Sequence, residues 1–212
     1  MKPGGPVVKV RQGRRTLVLG GMRSGKSTWA ERALDGITEV TYIATAPSRP
    51  GDDDWDRRVL AHRSRRPAHW HTVEMASTQA VLAELISTAS ARSAVLVDDL
   101  GTWLTAVLDQ TGGWERPDGA RSADPACDDL IDAVGRCSAR LLLVSPEVGW
   151  GVVPATRAGR VFADAQGQLN QRLAAACDNV VLVVAGLALP LGRPGFDLDT
   201  PEPSVHDGSL AP

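Results

Sequence analysis

Cysteine is scarce in this chain, and the three present, Cys127, Cys137 and Cys177, have neither the close pairing of a zinc site nor the even count of a disulfide framework. A disulfide-stapled secreted domain is set aside, and a reducing cytoplasm is the expected compartment. No uninterrupted apolar run is long enough to span a bilayer. The basic start, with Lys2, Lys9, Arg11, Arg14 and Arg15, has no apolar stretch of signal-peptide length before Arg14. Stable membrane insertion and export are not expected. Charge of one sign is missing as well: a formal charge of -2 exerts no global pull on nucleic acid or an anionic membrane, so no nucleic-acid partner is expected. Internal repeats are absent. What remains, 212 residues with 43% hydrophobic and 23% charged, is the composition of one packed globular domain.

The apolar runs that are present have the character of strands buried on both faces. RRTLVLG (14–20), TYIAT from Thr41, AVLVDDL from Ala94 and RLLLVS from Arg140 are of this kind, and VVLVVAGLALPL from Val180 closes the set. Between them lie stretches of helical composition: SGKSTWAERALDG, which ends at a Gly stop, residues 79–91 and residues 159–177. Strands and helices alternate, which implies an α/β fold with a largely parallel sheet. AHWHTVE from Ala68 alternates polar and apolar residues and is short, so it predicts an extra strand near a sheet edge. TGGWERPDGARSADP (111–125) is rich in Gly, Pro and charge and predicts a flexible surface loop. The expected organisation is a basic arm over 1–13, one domain over 14–194 and a disordered tail over 195–212, which is too poor in apolar residues to bury.

Gly20, Gly21, Met22, Arg23, Ser24, Gly25, Lys26 and Ser27 match G-x-x-x-x-G-K-[ST] between a predicted strand and a predicted helix. Gly20 and Gly25 allow a tight turn that aims backbone N–H groups inward, and the helix starting near Lys26 adds the positive end of its dipole. Phosphate is the natural ligand of such a cradle. Lys26 reaches the β- and γ-phosphates as a point charge, and the Ser27 hydroxyl suits the Mg²⁺ that bridges them. The alternative, a Gly-rich turn that merely caps a helix, does not explain why strand, loop and helix all occur in the right order. Asp98, after Val95, Leu96 and Val97, stands where P-loop proteins put a carboxylate beside Mg²⁺, although Asp98 or Asp99 also suits a simple turn.

DDDWDRRVLAHRSR (52–65) carries acids in front and bases behind, the order that suits a helix dipole. In a helix, Asp54, Arg58 and His62 fall four apart on one face, so a carboxylate and a guanidinium flank an imidazole. Neutral imidazole is a competent nucleophile near neutral pH. Residue pattern alone leaves His62 open, since a helical His among charges is commonly a solvated surface residue.

The ordered set of motifs is narrower than any one of them. GGMRSGKSTWAE, YIATA, D-x-x-x-R-x-x-x-H followed by RPAHWHTVE, VLVDDLGTWLT, EVGWGVVPATRAGRVFADAQGQLNQRLA and VVLVVAGLALPL together resemble the bifunctional adenosylcobinamide kinase/adenosylcobinamide-phosphate guanylyltransferase family, over residues 16–191. The resemblance implies a P-loop NTPase-like three-layer sandwich with some antiparallel strands. It also implies a homotrimer with active sites between subunits, using ATP, GTP and a corrinoid. Such an enzyme phosphorylates adenosylcobinamide with ATP or GTP. It then carries GMP from GTP on a histidine, matched here by His62, to adenosylcobinamide phosphate. Lys26 and His62 are thus the expected catalytic residues. Residues 20–27 with Asp54, Arg58, Asp98 and Glu147 are the expected nucleotide contacts, and Ser27 and Asp98 the Mg²⁺ side. Arg157, Asn170 and Gln171 also match family positions, and structural roles for them and for Glu147 stay open.

The chain departs from the family at Ala61, where relatives often have a second His, at Pro146, where a polar residue is usual, and at Ala106, where Asn is frequent. Two alternatives remain: a kinase that keeps only the first activity, and a nucleotide-binding module without turnover. Attack at γ and then at α requires some segment to shift, and residues 47–52 are the candidate hinge. Trp29, Trp55, Trp70, Trp103 and Trp150 are expected to pack, with Trp70 and Trp150 also placed to line a corrinoid site. The cysteines are expected to be inert small residues.

Overall fold

A computed structural model of the chain describes residues 13–46, 51, 57, 60, 63–64, 66–75 and 81–191. The basic arm up to residue 12, the tail after residue 191, most of the 47–52 loop, and Asp54, Trp55, Arg58, Ala61 and His62 lie outside the described residues.

Seven strands form one sheet: β1 (Arg15–Gly20), β2 (Val40–Ala44), β3 (His71–Glu74), β4 (Ala94–Asp98), β5 (Arg140–Pro146), β6 (Asn179–Val184) and β7 (Leu187–Leu191). Their spatial order is β3-β2-β4-β5-β1-β6-β7, with β7 antiparallel to β6 and every other pair parallel. Five α-helices are described: α1 (Lys26–Ala33), α2 (Val81–Ser87), α3 (Leu100–Thr111), α4 (Asp124–Arg136) and α5 (Arg157–Ala176).

Period-two alternation within the continuous apolar strands divides their side chains between two cores. Leu17, Leu19, Val95, Val97, Leu141 and Leu143 face one core, where α2 to α5 contribute Leu82, Trp103, Leu108, Leu130 and Leu169. Val18, Leu96, Leu142 and Val144 face the other, closed by Ala30 and Leu34 of α1 together with Tyr42 and Trp70. Each fully buried Leu or Val adds roughly 1.5–3 kcal/mol of transfer free energy, which is why the strands read as unbroken apolar runs.

The edge strand expected from Ala68 is present, shortened to His71–Glu74 and paired parallel to β2. Three expectations need correction. Residues 111–125 lie at the surface as expected, exposed over 115–118, but are not loop throughout. Gly112, at φ 63°, ends α3, a 3-10 turn spans Gly119–Ala123, and Pro125 lies in the first turn of α4. The glycines there serve close approach, since a Cβ on Gly113 would sit 2.4 Å from Ser122 Oγ. The closing apolar run is two strands, because Val184 pairs with Leu187 across a two-residue turn in which Ala185 (φ 51°) and Gly186 (φ 79°) are both left-handed. Trp150 is 75% exposed and packs in no core, in contrast to Trp70 and Trp103. Helices α3 and α4 are not among the helical stretches assigned from the sequence, and the loop expected over 111–125 overlaps the first turn of α4.

β1 leads through α1 to β2, two strands beyond its neighbour β5, while β5 leads through α5 to β6 on the other side of β1. The connections leaving β1 and β5 thus run to opposite sides of the sheet, and the loop leaving β1 emerges at the carboxyl ends of the parallel strands, which is where α/β sheets bind ligands.

Candidate nucleotide site

The loop from Gly20 to Ser27 lies at these carboxyl ends, between β1 and α1. Gly20 admits no side chain, because a Cβ would meet Ser24 Oγ at 2.4 Å and the Val183 carbonyl at 2.6 Å. Gly25, at φ 96°, caps α1 in a conformation that costs any other residue on the order of 1 kcal/mol. The loop is held from three sides. Ser24 N donates to Gly21 O (3.2 Å), Gly186 N of the β6–β7 turn donates to Ser24 O (2.8 Å), and Glu147 N beyond β5 donates to Gly20 O (3.1 Å). Gly21, Met22 and Arg23 stay exposed at its crest. Lys26 Nζ folds back to Gly21 O at 3.3 Å, across the hollow that the backbone encloses.

Asp98 ends β4, two strands from β1, and the first turn of α1 leans over β5 toward it, so that Ser27 Oγ donates to Asp98 Oδ1 at 2.9 Å. Tyr42 of β2 donates its phenol O–H to Asp98 Oδ2. Burial, and then the Asp98 charge, pushes the Tyr42 phenol up from its ordinary range. The guanidinium of Arg66 stacks on the Tyr42 ring, 3.6 Å from its centroid, and Trp70 packs against it at 6.4 Å.

Asp99 does a different job from its neighbour. It is the N-cap of α3, accepting from Thr102 N at 2.9 Å, an arrangement that contributes about 1 kcal/mol to a helix. Burial, followed by the Asp98 charge, pushes its carboxyl up. Of the two acids left open by the sequence, Asp98 faces the cradle and Asp99 caps a helix.

Glu147 stands immediately past β5, between the cradle and Asp98, and its Oε1 accepts from Gly149 N at 3.1 Å. Behind it lies a buried polar cluster. Ser145 Oγ donates to Asn170 Oδ1 (2.5 Å), Gln166 Nε2 donates to Ser145 Oγ (2.9 Å), and Asn170 Nδ2 donates to Pro146 O (3.0 Å). Asn170 thus ties α5 to the end of β5, Gln171 faces outward, and Arg157 holds the backbone carbonyls of Trp114 and Arg116. Sequence reasoning missed Ser145, Gln166, Tyr42 and Arg66. The signal for Gln166 was available: two amides four residues apart in α5, in helical phase with Leu169 and Leu173, have to satisfy each other.

A hydroxyl and a carboxylate 2.9 Å apart are hard oxygen donors of the kind Mg²⁺ accepts. No group of three or more His, Cys, Asp or Glu side chains that could hold a metal occurs among the described residues. A divalent ion fits this donor set when a nucleotide brings phosphate oxygens to complete its shell. The cysteines are all free and buried, and burial pushes Cys127 and Cys177 up to about 12.

A glycine cradle at the tip of β1, its lysine folded across it and its serine bonded to an acid on β4 define a P-loop nucleotide-binding α/β protein. Solved structures agree on the fold. The chain aligns with the ATPase EscN from the type III secretion system of enteropathogenic E. coli at TM-score 0.52 and 12% identity, covering 82% of this chain and 43% of that one. With a prototypical type III secretion ATPase the TM-score is 0.54 at 14% identity, covering 84% and 56%. The chain therefore spans only about half the length of those ATPases.

The chain belongs to the cobinamide kinase / cobinamide phosphate guanyltransferase family, which matches residues 16–191. It is 44% identical over 182 residues to the bifunctional adenosylcobalamin biosynthesis protein CobP of Pseudomonas aeruginosa, covering 85% of this chain and 99% of that one. Against the CobU proteins of Salmonella typhimurium and Escherichia coli the identities are 39% and 40%, covering 82% of this chain and 98% of each relative. It is thus an enzyme with two activities, a kinase and a guanylyltransferase. No helix among the described residues is long and apolar enough to cross a membrane.

Proposed function

We propose that the chain phosphorylates the aminopropanol hydroxyl of adenosylcobinamide with ATP or GTP. It then converts adenosylcobinamide phosphate to adenosylcobinamide-GDP by way of a guanylyl group on His62. Residues 14–194 form the working domain, and the enzyme acts in the cytoplasm as a homotrimer with active sites between subunits. The observation that carries the reading is the Ser27 to Asp98 hydrogen bond beneath the cradle, in a chain that matches its relatives almost end to end.

Backbone N–H groups of residues 20–27 and the start of α1 hold the triphosphate, and Lys26 leaves Gly21 O to meet the β- and γ-oxygens. Ser27 and Asp98 hold Mg²⁺, which when bound neutralises charge building on the transferring group. Glu147, with its main chain fixed to Gly20, presents a carboxylate beside the nucleotide. For the second reaction the imidazole of His62 attacks the α-phosphorus of GTP as pyrophosphate departs. The adenosylcobinamide phosphate oxygen then displaces the imidazole and takes the guanylyl group. Asp54 and Arg58 are read as flanking contacts to the nucleotide.

GTP labelled at the α-phosphate tests this directly. The expected outcome is an acid-labile, protein-bound label that is lost in His62→Ala, whereas a kinase with only the first activity gives no such adduct. Failure to convert adenosylcobinamide with either nucleotide leaves only a binding module.

A further inference from the structure

In the parallel register of β2 and β4, Tyr42 lies opposite Leu96 and Ala44 opposite Asp98. Residues two apart on adjacent strands share a face and sit roughly 7–8 Å apart diagonally, within reach of an aromatic side chain and too far for a Ser or Thr. The Tyr42 phenol closes that gap and donates to Oδ2 of Asp98, while Ser27 Oγ donates to Oδ1. The two oxygens of one carboxylate are therefore divided between two hydroxyls from opposite directions, one on the P-loop helix and one on a neighbouring strand. A carboxyl group free to rotate about its Cβ–Cγ bond would present neither oxygen consistently, since that torsion is broad. The ring of Tyr42 cannot drift, being fully buried between Trp70 and the Arg66 guanidinium.

We propose that Tyr42 is a positioning residue for cation use: by fixing Oδ2 of Asp98 it aims Oδ1 at Ser27 and at the divalent ion of the bound nucleotide. The inference rests on Asp98 being the metal-side acid. It assigns Tyr42 no contact with substrate, and it separates metal binding from nucleotide binding, because the cradle amides and Lys26 do not touch the phenol.

Tyr42→Phe removes the hydroxyl and keeps the ring under Arg66. The dissociation constant of a fluorescent GTP analogue is measured in EDTA and across a Mg²⁺ titration, alongside the melting temperature. The expected result is an affinity in EDTA within about 2-fold of wild type and a Mg²⁺ half-saturation raised roughly 10-fold, the scale of one lost hydrogen bond to a charged group. An unchanged Mg²⁺ half-saturation, with or without a lowered melting temperature, overturns the proposal and leaves Tyr42 a packing residue. Asp98→Asn in the same titration separates the two layers. If it too leaves the Mg²⁺ dependence unmoved, the reading of Asp98 fails; if it moves and Tyr42→Phe does not, only the inference on Tyr42 fails. Tyr42 is the one tyrosine of the chain, so fluorotyrosine incorporation gives a single ¹⁹F resonance without altering the packing. That resonance should shift when Mg²⁺ is added to the nucleotide complex, and a resonance that stays put counts against the proposal.

Discussion

At opposite ends of the parallel strands stand two aspartates, Asp178 before β6 and Asp98 at the end of β4, whose partners differ in kind. At the amino end Asp178 accepts from the backbone N–H groups of Arg14 and Arg15, each at 2.9 Å, and from Arg15 Nη2 at 2.9 Å. At the carboxyl end Asp98 takes the hydroxyls of Ser27 and Tyr42. Amides and a guanidinium answer the negative charge of Asp178 and close the start of the sheet onto the end of α5. Hydroxyls aim the two oxygens of a carboxylate, which suits a group that has to meet a cation brought by the ligand. The sheet therefore has a clasp at the amino ends of its strands and a working site at their carboxyl ends.

The sharpest way to break this comparison is Lys26→Ala. Removing the clamp from the transferring phosphoryl group should lower the kcat of cobinamide phosphorylation on the order of 10²–10³-fold, with the melting temperature within a few degrees of wild type. If thermal unfolding shows a collapse of stability instead, the carboxyl end is a structural clasp like the amino end.

A smaller effect of opposite kind is expected from Asp178→Asn: a stability loss of roughly 1–2 kcal/mol, or about 3–6 °C in melting temperature, with kcat unchanged. The Arg15 guanidinium, before any other influence, holds the Asp178 carboxyl down at about 2. A carboxyl depressed in the folded state contributes its full stability above the ordinary carboxylate range and loses it as pH falls toward the folded value. The difference in urea stability between wild type and Asp178→Asn should accordingly narrow from pH 6 to pH 3. A gap that widens would break the assignment.

The smallest effect concerns groups that belong to neither end. Cys127 and Cys177 should alkylate at pH 8 only on the unfolding timescale, because burial keeps both thiols protonated. Rapid labelling of the native protein would reveal an opening of the larger core.

The carboxyl end was the more legible of the two in the sequence. Its chemistry sits in one contiguous octet whose glycines answer to local backbone geometry and whose lysine and serine answer to phosphate and cation chemistry, and an Asp pair, Asp98 and Asp99, ends an apolar run. Tyr42, Ser145 and Gln166 were not legible as site-supporting residues. Each acquires its meaning from a partner 56, 25 or 21 positions away, across a strand register or a helix packed on the sheet. The loop at 111–125 was misread for a related reason. Glycine signals freedom to a reader of sequence, yet the close approach of Gly113 to Ser122 and Gly119 turns that freedom into a packing requirement.

Most of the strands, three of the described helices, the phosphate cradle and the family were written in short-range patterns, because apolar periodicity and left-handed glycines act within a few residues of themselves. That β5 lies between β1 and β4, that Ser27 spans it to reach Asp98, and that Asp98 and Asp99 part company between cradle and helix cap depended on the assembled sheet. Strand order is a global minimum over two cores packed at once, and no local run of residues carries that information.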